Sequence, residues 1–99
     1  MKILVFISKN TGHKCLQHLI SNHLKDDYLF IVSDPDKKLI IQTLKHHSLK
    51  YLELSEETIE KLRNESTKYD WLLNLWSGYI FRSDILSLAD NSLNIHPSF

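Results

Sequence analysis

Two side chains near the end of the chain have types and spacing suited to chemistry. They are Asn94 and His96, within Ser92-Leu93-Asn94-Ile95-His96-Pro97-Ser98-Phe99. In an extended segment Leu93 and Ile95 point to one side, and Asn94 and His96 point to the other. A carboxamide can donate a hydrogen bond to a developing oxyanion. An imidazole, which titrates near neutral pH, can donate a hydrogen bond or move a proton. A lone histidine on a strand face is more often a satisfied structural residue. Here an amide shares its face, at the carboxyl end of a predicted inner strand.

Two further stretches carry candidates. Ser8-Lys9-Asn10-Thr11-Gly12 reads as a polar loop between a strand and a helix, and helix-opening N–H groups can receive an anion such as a phosphate. Asn10, Thr11 and Gly12 are the candidate substrate-binding residues there. A plain strand-to-helix turn explains the same loop. With one glycine, and neither GxGxxG nor GxxxxGK[ST], it does not read as an ordinary dinucleotide or nucleoside-triphosphate site. The second stretch is Trp76-Ser77-Gly78-Tyr79-Ile80-Phe81. A glycine there permits a flat ligand to approach the backbone, or serves a turn with positive φ. Trp76 and Tyr79 are the aromatics expected near a ligand.

The elements that must position these residues follow from hydrophobic periodicity. Residues 2–7 (KILVFI) and 28–32 (YLFIV) are continuous apolar runs, as in strands buried on both faces. From His13, the apolar residues Cys15, Leu16, Leu19, Ile20 and Leu24 form one helical stripe. Asp34 is expected to cap a second helix with Pro35 at its first position, and Leu39, Ile40, Thr43, Leu44 and His47 make its stripe. Residues 49–54 (LKYLEL) alternate and carry charge, which suits an edge strand. Ser55 caps a third helix with acids first and bases later, matching the helix dipole, and with a thin stripe of Ile59 and Leu62. Residues 71–76 (WLLNLW) read as a strand, Ser83 as the cap of a short helix over 84–89, and 92–96 as the fifth strand.

Strands alternating with helices call for a parallel sheet with right-handed crossovers. The predicted fold is α/β, a doubly wound Rossmann-like sheet in the order 3-2-1-4-5. Ligands of such sheets bind outside the carboxyl ends of the strands, where the order reverses. That places the loops after strands one, four and five together, with both glycines and one of the two prolines.

Bulk properties narrow the partners. The chain has 99 residues, which is one domain, with twelve bases balanced by twelve acids. No basic field points to nucleic acid or to an anionic membrane. The apolar run at 3–7 is too short for a signal core or a span, so a cytoplasmic protein is expected. The single Cys15 excludes an internal disulfide and fits a reducing compartment. His13, His18 and His23 are five apart and cannot share a helical face, and His46-His47 sit at a helix end, so no metal site is expected.

Asn94-Ile95-His96-Pro97-Ser98 resembles the N-x-H-P-S core of the folate-dependent formyltransferases. KILVFIS looks like that family's first strand, and LNLWSGYIF like its strand leading into a glycine turn. The wording NLWSGYIFRSDIL is most similar to the sugar-nucleotide N-formyltransferases. The resemblance implies transfer of a formyl group from N10-formyltetrahydrofolate to a primary amine, with a nucleotide-linked amino sugar as acceptor. It implies that Asn94 and His96 are two members of a catalytic Asn/His/Asp set. The pterin would lie against Gly78, Tyr79, Ile80 and Phe81, and the phosphate-bearing end of the acceptor near Asn10, Thr11 and Gly12, with Trp76 close by. A homodimer of the full-length form is compatible with it. The family continues past HPS with Leu-Pro and, further on, the catalytic Asp, whereas this sequence stops at Phe99. The resemblance therefore implies that residues 1–99 are the N-terminal portion of a catalytic domain, inactive alone. The alternative is a non-catalytic nucleotide- or folate-binding module.

Overall fold

The structure is a computed structural model and describes residues 1–95. The elements run β1 (Lys2–Ile7), α1 (Lys9–Asn22), β2 (Asp27–Val32), α2 (Lys37–His46), β3 (Lys50–Glu53), α3 (Glu56–Asn64), β4 (Tyr69–Leu75), α4 (Ser83–Leu86) and β5 (Ala89–Ile95). All five strands are parallel, in the order β3-β2-β1-β4-β5. The predicted doubly wound α/β fold and its strand order are therefore seen.

β1 is central, and its unbroken apolar run follows from burial on both faces. Ile3, Val5 and Ile7 face a core completed by Leu16 of α1 and by Ile40 and Leu44 of α2. Leu4 and Phe6 face the opposite core, with Ile59 and Leu62 of α3 and Ile85 of α4. The helices change face because the chain reverses its direction of travel after β3 while the crossovers keep one hand. Each fully buried Leu, Ile or Phe contributes about 1.5–3 kcal/mol.

Ser55 caps α3 as expected, its hydroxyl accepting the Thr58 N–H at 3.1 Å. Glu56 and Glu57 open that helix, and Lys61 and Arg63 lie in its last turn. β3 is an edge strand.

Several boundaries differ from the sequence reading. α1 begins at Lys9, so Asn10, Thr11 and Gly12 are helical rather than a loop. Lys9, at φ 68, makes the whole turn from strand to helix. Leu24 lies beyond α1 and is exposed. α2 begins at Lys37 with Asp36 as its cap residue at φ 67. Pro35 stays outside because its carbonyl accepts the Lys9 N–H at 2.7 Å, while Asp34 Oδ1 accepts from the Lys37 N–H at 3.4 Å. Leu39 is exposed, and the buried stripe of α2 reduces to Ile40 and Leu44. Ser83 is the first residue of α4, which follows Arg82 and is shorter than expected. β5 starts earlier, at Ala89. It is the outermost strand among the described residues, not the inner one expected.

Candidate functional site

At the carboxyl edge of the sheet four strand ends are tied together. Ser8, following β1, donates its N–H to the Leu75 carbonyl at 3.2 Å and its hydroxyl to the Trp76 carbonyl at 2.7 Å. The Trp76 N–H donates to the Ile95 carbonyl of β5 at 2.8 Å. The Ser33 hydroxyl, after β2, lies 3.5 Å from the Ser77 hydroxyl. This is the gap between β1 and β4 where the strand order reverses, the usual ligand position in such sheets. The ends of β1, β4 and β5 thus meet here and the end of β2 joins them, while the loop expected after strand five lies outside the described residues.

The corner at Trp76 is strained. Its φ is 63, in the left-handed region, which costs a bulky aromatic about 1–3 kcal/mol. Both of its backbone polar groups are held, by Ile95 and by Ser8. Beneath it Asn74 is 1% exposed. The Asn74 Oδ1 accepts the Ser77 N–H at 2.8 Å, and its Nδ2 donates to the Ser77 carbonyl at 3.1 Å and to the Tyr79 carbonyl at 3.5 Å. The Ser77 hydroxyl accepts the Tyr79 N–H at 3.2 Å. Sequence reasoning passed over Asn74. The available signal was a single polar residue inside WLLNLW, because a buried amide must find partners.

Gly78 has no positive φ, and a Cβ added there would meet nothing within 4 Å. The turn therefore does not require glycine for its conformation, and the backbone at Gly78 is open. Tyr79 stacks on Phe6 with ring centroids 5.3 Å apart, and Phe81 meets Phe6 edge-on at 4.9 Å. Ile80, between them, is 78% exposed. A cleft of about 360 Å³ is lined by Arg63, Gly78, Tyr79, Ile80 and Arg82. A second, of about 480 Å³, shares Tyr79 and Arg63 and extends along the start of α3 to Leu54 and Glu56. Arg63 bonds to Asp84 and Glu60. Its guanidinium holds the Asp84 carboxyl below the ordinary range.

The predicted residues do not all come together. Gly78, Tyr79 and Ile80 form one wall of the open cleft, whereas Phe81 packs against Phe6 and the α3–α4 core and does not line it. Trp76 is half-buried and packs on the α1–α2 side of the sheet, the face opposite Tyr79. Asn10 and Thr11 are exposed on the first turn of α1, whereas Gly12 is buried and pressed on the Leu75 carbonyl. Asn94 is exposed near the carboxyl end of β5, in register with Asn74 of β4. Parallel neighbours in register share a face, so Asn94 lies on the same side as the Tyr79 cleft. Ile95 packs with the α1–α2 core and Leu93, on its side, is 49% exposed, as the alternation requires. His96 lies outside the described residues.

The remaining histidines have local explanations. His13 is buried, with Nε2 2.7 Å from Thr43 Oγ1. The Thr43 hydroxyl also lies 3.3 Å from the Leu39 carbonyl oxygen, which ties His13 to the backbone of α2. The rings of His18 and His23 approach to 6.0 Å, closer than helical spacing implies, because His23 ends α1 with non-helical backbone. Among the described residues no three His, Cys, Asp or Glu side chains group as metal ligands. Burial raises the Cys15 thiol pKa. No described helix is long and apolar enough to cross a membrane.

Neither a scan against protein-family models nor a search of the curated proteins gives a match for this chain. The fold and the stitched edge define a class: a doubly wound α/β domain with an open crevice beside its switch point.

Proposed function

We propose that this chain belongs to a folate-dependent N-formyltransferase domain. It would take the formyl donor N10-formyltetrahydrofolate and act on a primary amine, that of a nucleotide-linked amino sugar. The observation that carries the reading is the Asn94-x-His96-Pro97-Ser98 sequence, whose Asn94 lies on β5 in register with Asn74 of β4. A folate is a flat heteroaromatic ring with a dicarboxylate tail. The cleft offers open backbone at Gly78, the aromatic Tyr79 and the cation Arg82, which suit such a ligand.

In this reading the acceptor amine attacks the formyl carbon. A new C–N bond forms and the carbonyl oxygen takes the negative charge. Asn94 donates a hydrogen bond to that oxygen, where preorganised donors contribute most. His96 stabilises the same charge and helps move the amine proton. Collapse of the intermediate breaks the bond to N10 and releases tetrahydrofolate. Asp84 and Asp90 precede the motif, and neither takes the role of the family's Asp.

The test is calorimetric titration with 10-formyl-5,8-dideazafolate, a stable donor analogue, and with its deformylated counterpart. The expected result is saturable binding, with Asn94→Ala weakening the formylated ligand selectively by about 1 kcal/mol, roughly fivefold. Absence of binding sinks the folate reading. Equal loss for both ligands, or none for either, favours the non-catalytic binding module.

A further inference from the structure

We infer that Asn74 is the positioning residue of this site: its buried amide holds residues 76–79 in the one conformation that lays open backbone and Tyr79 along the cleft. The inference rests on the proposed reading for its ligand, but its geometry stands alone.

Four observations lead to it. All of the Asn74 side-chain polar atoms are used within one turn, on the Ser77 N–H, the Ser77 carbonyl and the Tyr79 carbonyl. No side-chain polar atom buried among the described residues lacks a partner, so the turn has no unmet demand that a second arrangement would satisfy better. The residue between, Trp76, is in a left-handed conformation that an aromatic adopts only when its surroundings impose it. Asn74 grips the chain on the far side of Trp76, as Ser8 and Ile95 grip Trp76 itself. Asn74 also stands in register with Asn94, so the strand that carries the candidate oxyanion donor is paired directly to the residue that fixes the turn.

An amide is the only side chain of this size that serves this turn. Leucine has the volume but strands one N–H and two carbonyls. Aspartate keeps the acceptor for the Ser77 N–H, but its ionised form faces the Ser77 and Tyr79 carbonyls with no proton to give. Its protonated form restores one donor. Burial against carbonyl oxygens raises the pKa of such a carboxyl, so the donor is present below that raised value and lost as pH climbs through it.

The experiment compares wild type, Asn74→Leu and Asn74→Asp by amide hydrogen exchange and by titration with 10-formyl-5,8-dideazafolate between pH 6 and pH 8. In Asn74→Leu, exchange at Ser77 and Tyr79 is expected to accelerate while the β1 amides keep their protection after correction for global stability. Ligand binding is expected to weaken about tenfold. In Asn74→Asp, affinity relative to wild type is expected to recover as pH falls, a profile that a generally destabilised fold does not produce. Unchanged exchange at Ser77 and Tyr79 overturns the inference. So does wild-type affinity in Asn74→Leu, or a flat relative pH profile in Asn74→Asp. If wild type itself binds no folate, the functional reading fails and the exchange data alone decide whether Asn74 holds the turn.

Discussion

The two glycines predict opposite responses to the same substitution. A Cβ on Gly12 would sit 2.9 Å from the Leu75 carbonyl oxygen and 3.0 Å from Ile7 Cγ1. The first neighbour is backbone of an inner strand and cannot swing aside, so α1 must lift from the sheet. Overpacking of this kind costs about 1–3 kcal/mol, and a rigid backbone oxygen places it near the upper end. Against this, alanine gains about 1 kcal/mol over glycine inside a helix. The net expectation for Gly12→Ala is a loss of about 2 kcal/mol, a fall in Tm of roughly 10 °C for a domain of this size. The Ser8 N–H also bonds to the Leu75 carbonyl, so the switch-point corner loosens with it. Gly78→Ala meets nothing and has no positive φ, and its gain from a stiffer unfolded chain is about 0.4–1 kcal/mol. Thermal unfolding followed by circular dichroism reads both. A Gly12→Ala protein as stable as wild type refutes the packing argument, and a Gly78→Ala protein several degrees less stable refutes the account of that turn.

Other expectations are simpler. Ser55→Ala removes the α3 cap and costs about 1 kcal/mol, read by urea unfolding, with Ser55→Asp restoring most of it. The depressed Asp84 pKa gives stability that is fully present above its ordinary value of 3.8 and is lost as pH falls through the lower folded value. Asp84→Asn should therefore lower stability slightly at neutral pH, flatten the acid limb below about pH 4 by the same small amount because the pair is exposed, and leave the most acid end unchanged. A steep acid limb retained in the variant contradicts that assignment.

Much of the fold was legible because the strongest signals were apolar and local. KILVFI can be satisfied only by burial on two faces, and the Ser55-Glu56-Glu57 opening of α3 is a cap with matching dipole charges. The differences arise where tertiary contacts decide. Gly12 reads as a loop glycine, but its missing side chain serves the close approach of α1 to β4. Pro35 reads as a helix start, but its carbonyl is taken by Lys9 from another loop. Asn74 was hidden by its strand, since nothing in WLLNLW says that its partners lie three and five residues ahead. Asn94 and Gly78 drew attention by type and position, and both lie toward the carboxyl edge of the sheet. The strain at Trp76, just after β4, was not legible, because left-handed backbone at an aromatic has no sequence signature.

The most direct test of the account is amide chemical-shift mapping of the labelled chain with 10-formyl-5,8-dideazafolate. The account predicts saturable shifts at Gly78, Tyr79, Ile80, Phe81 and Asn94, toward the carboxyl edge of the sheet, and a shift of the His96 amide with them. Absence of shifts, or shifts centred on the amino ends of the strands or on the α1–α2 face, would contradict it.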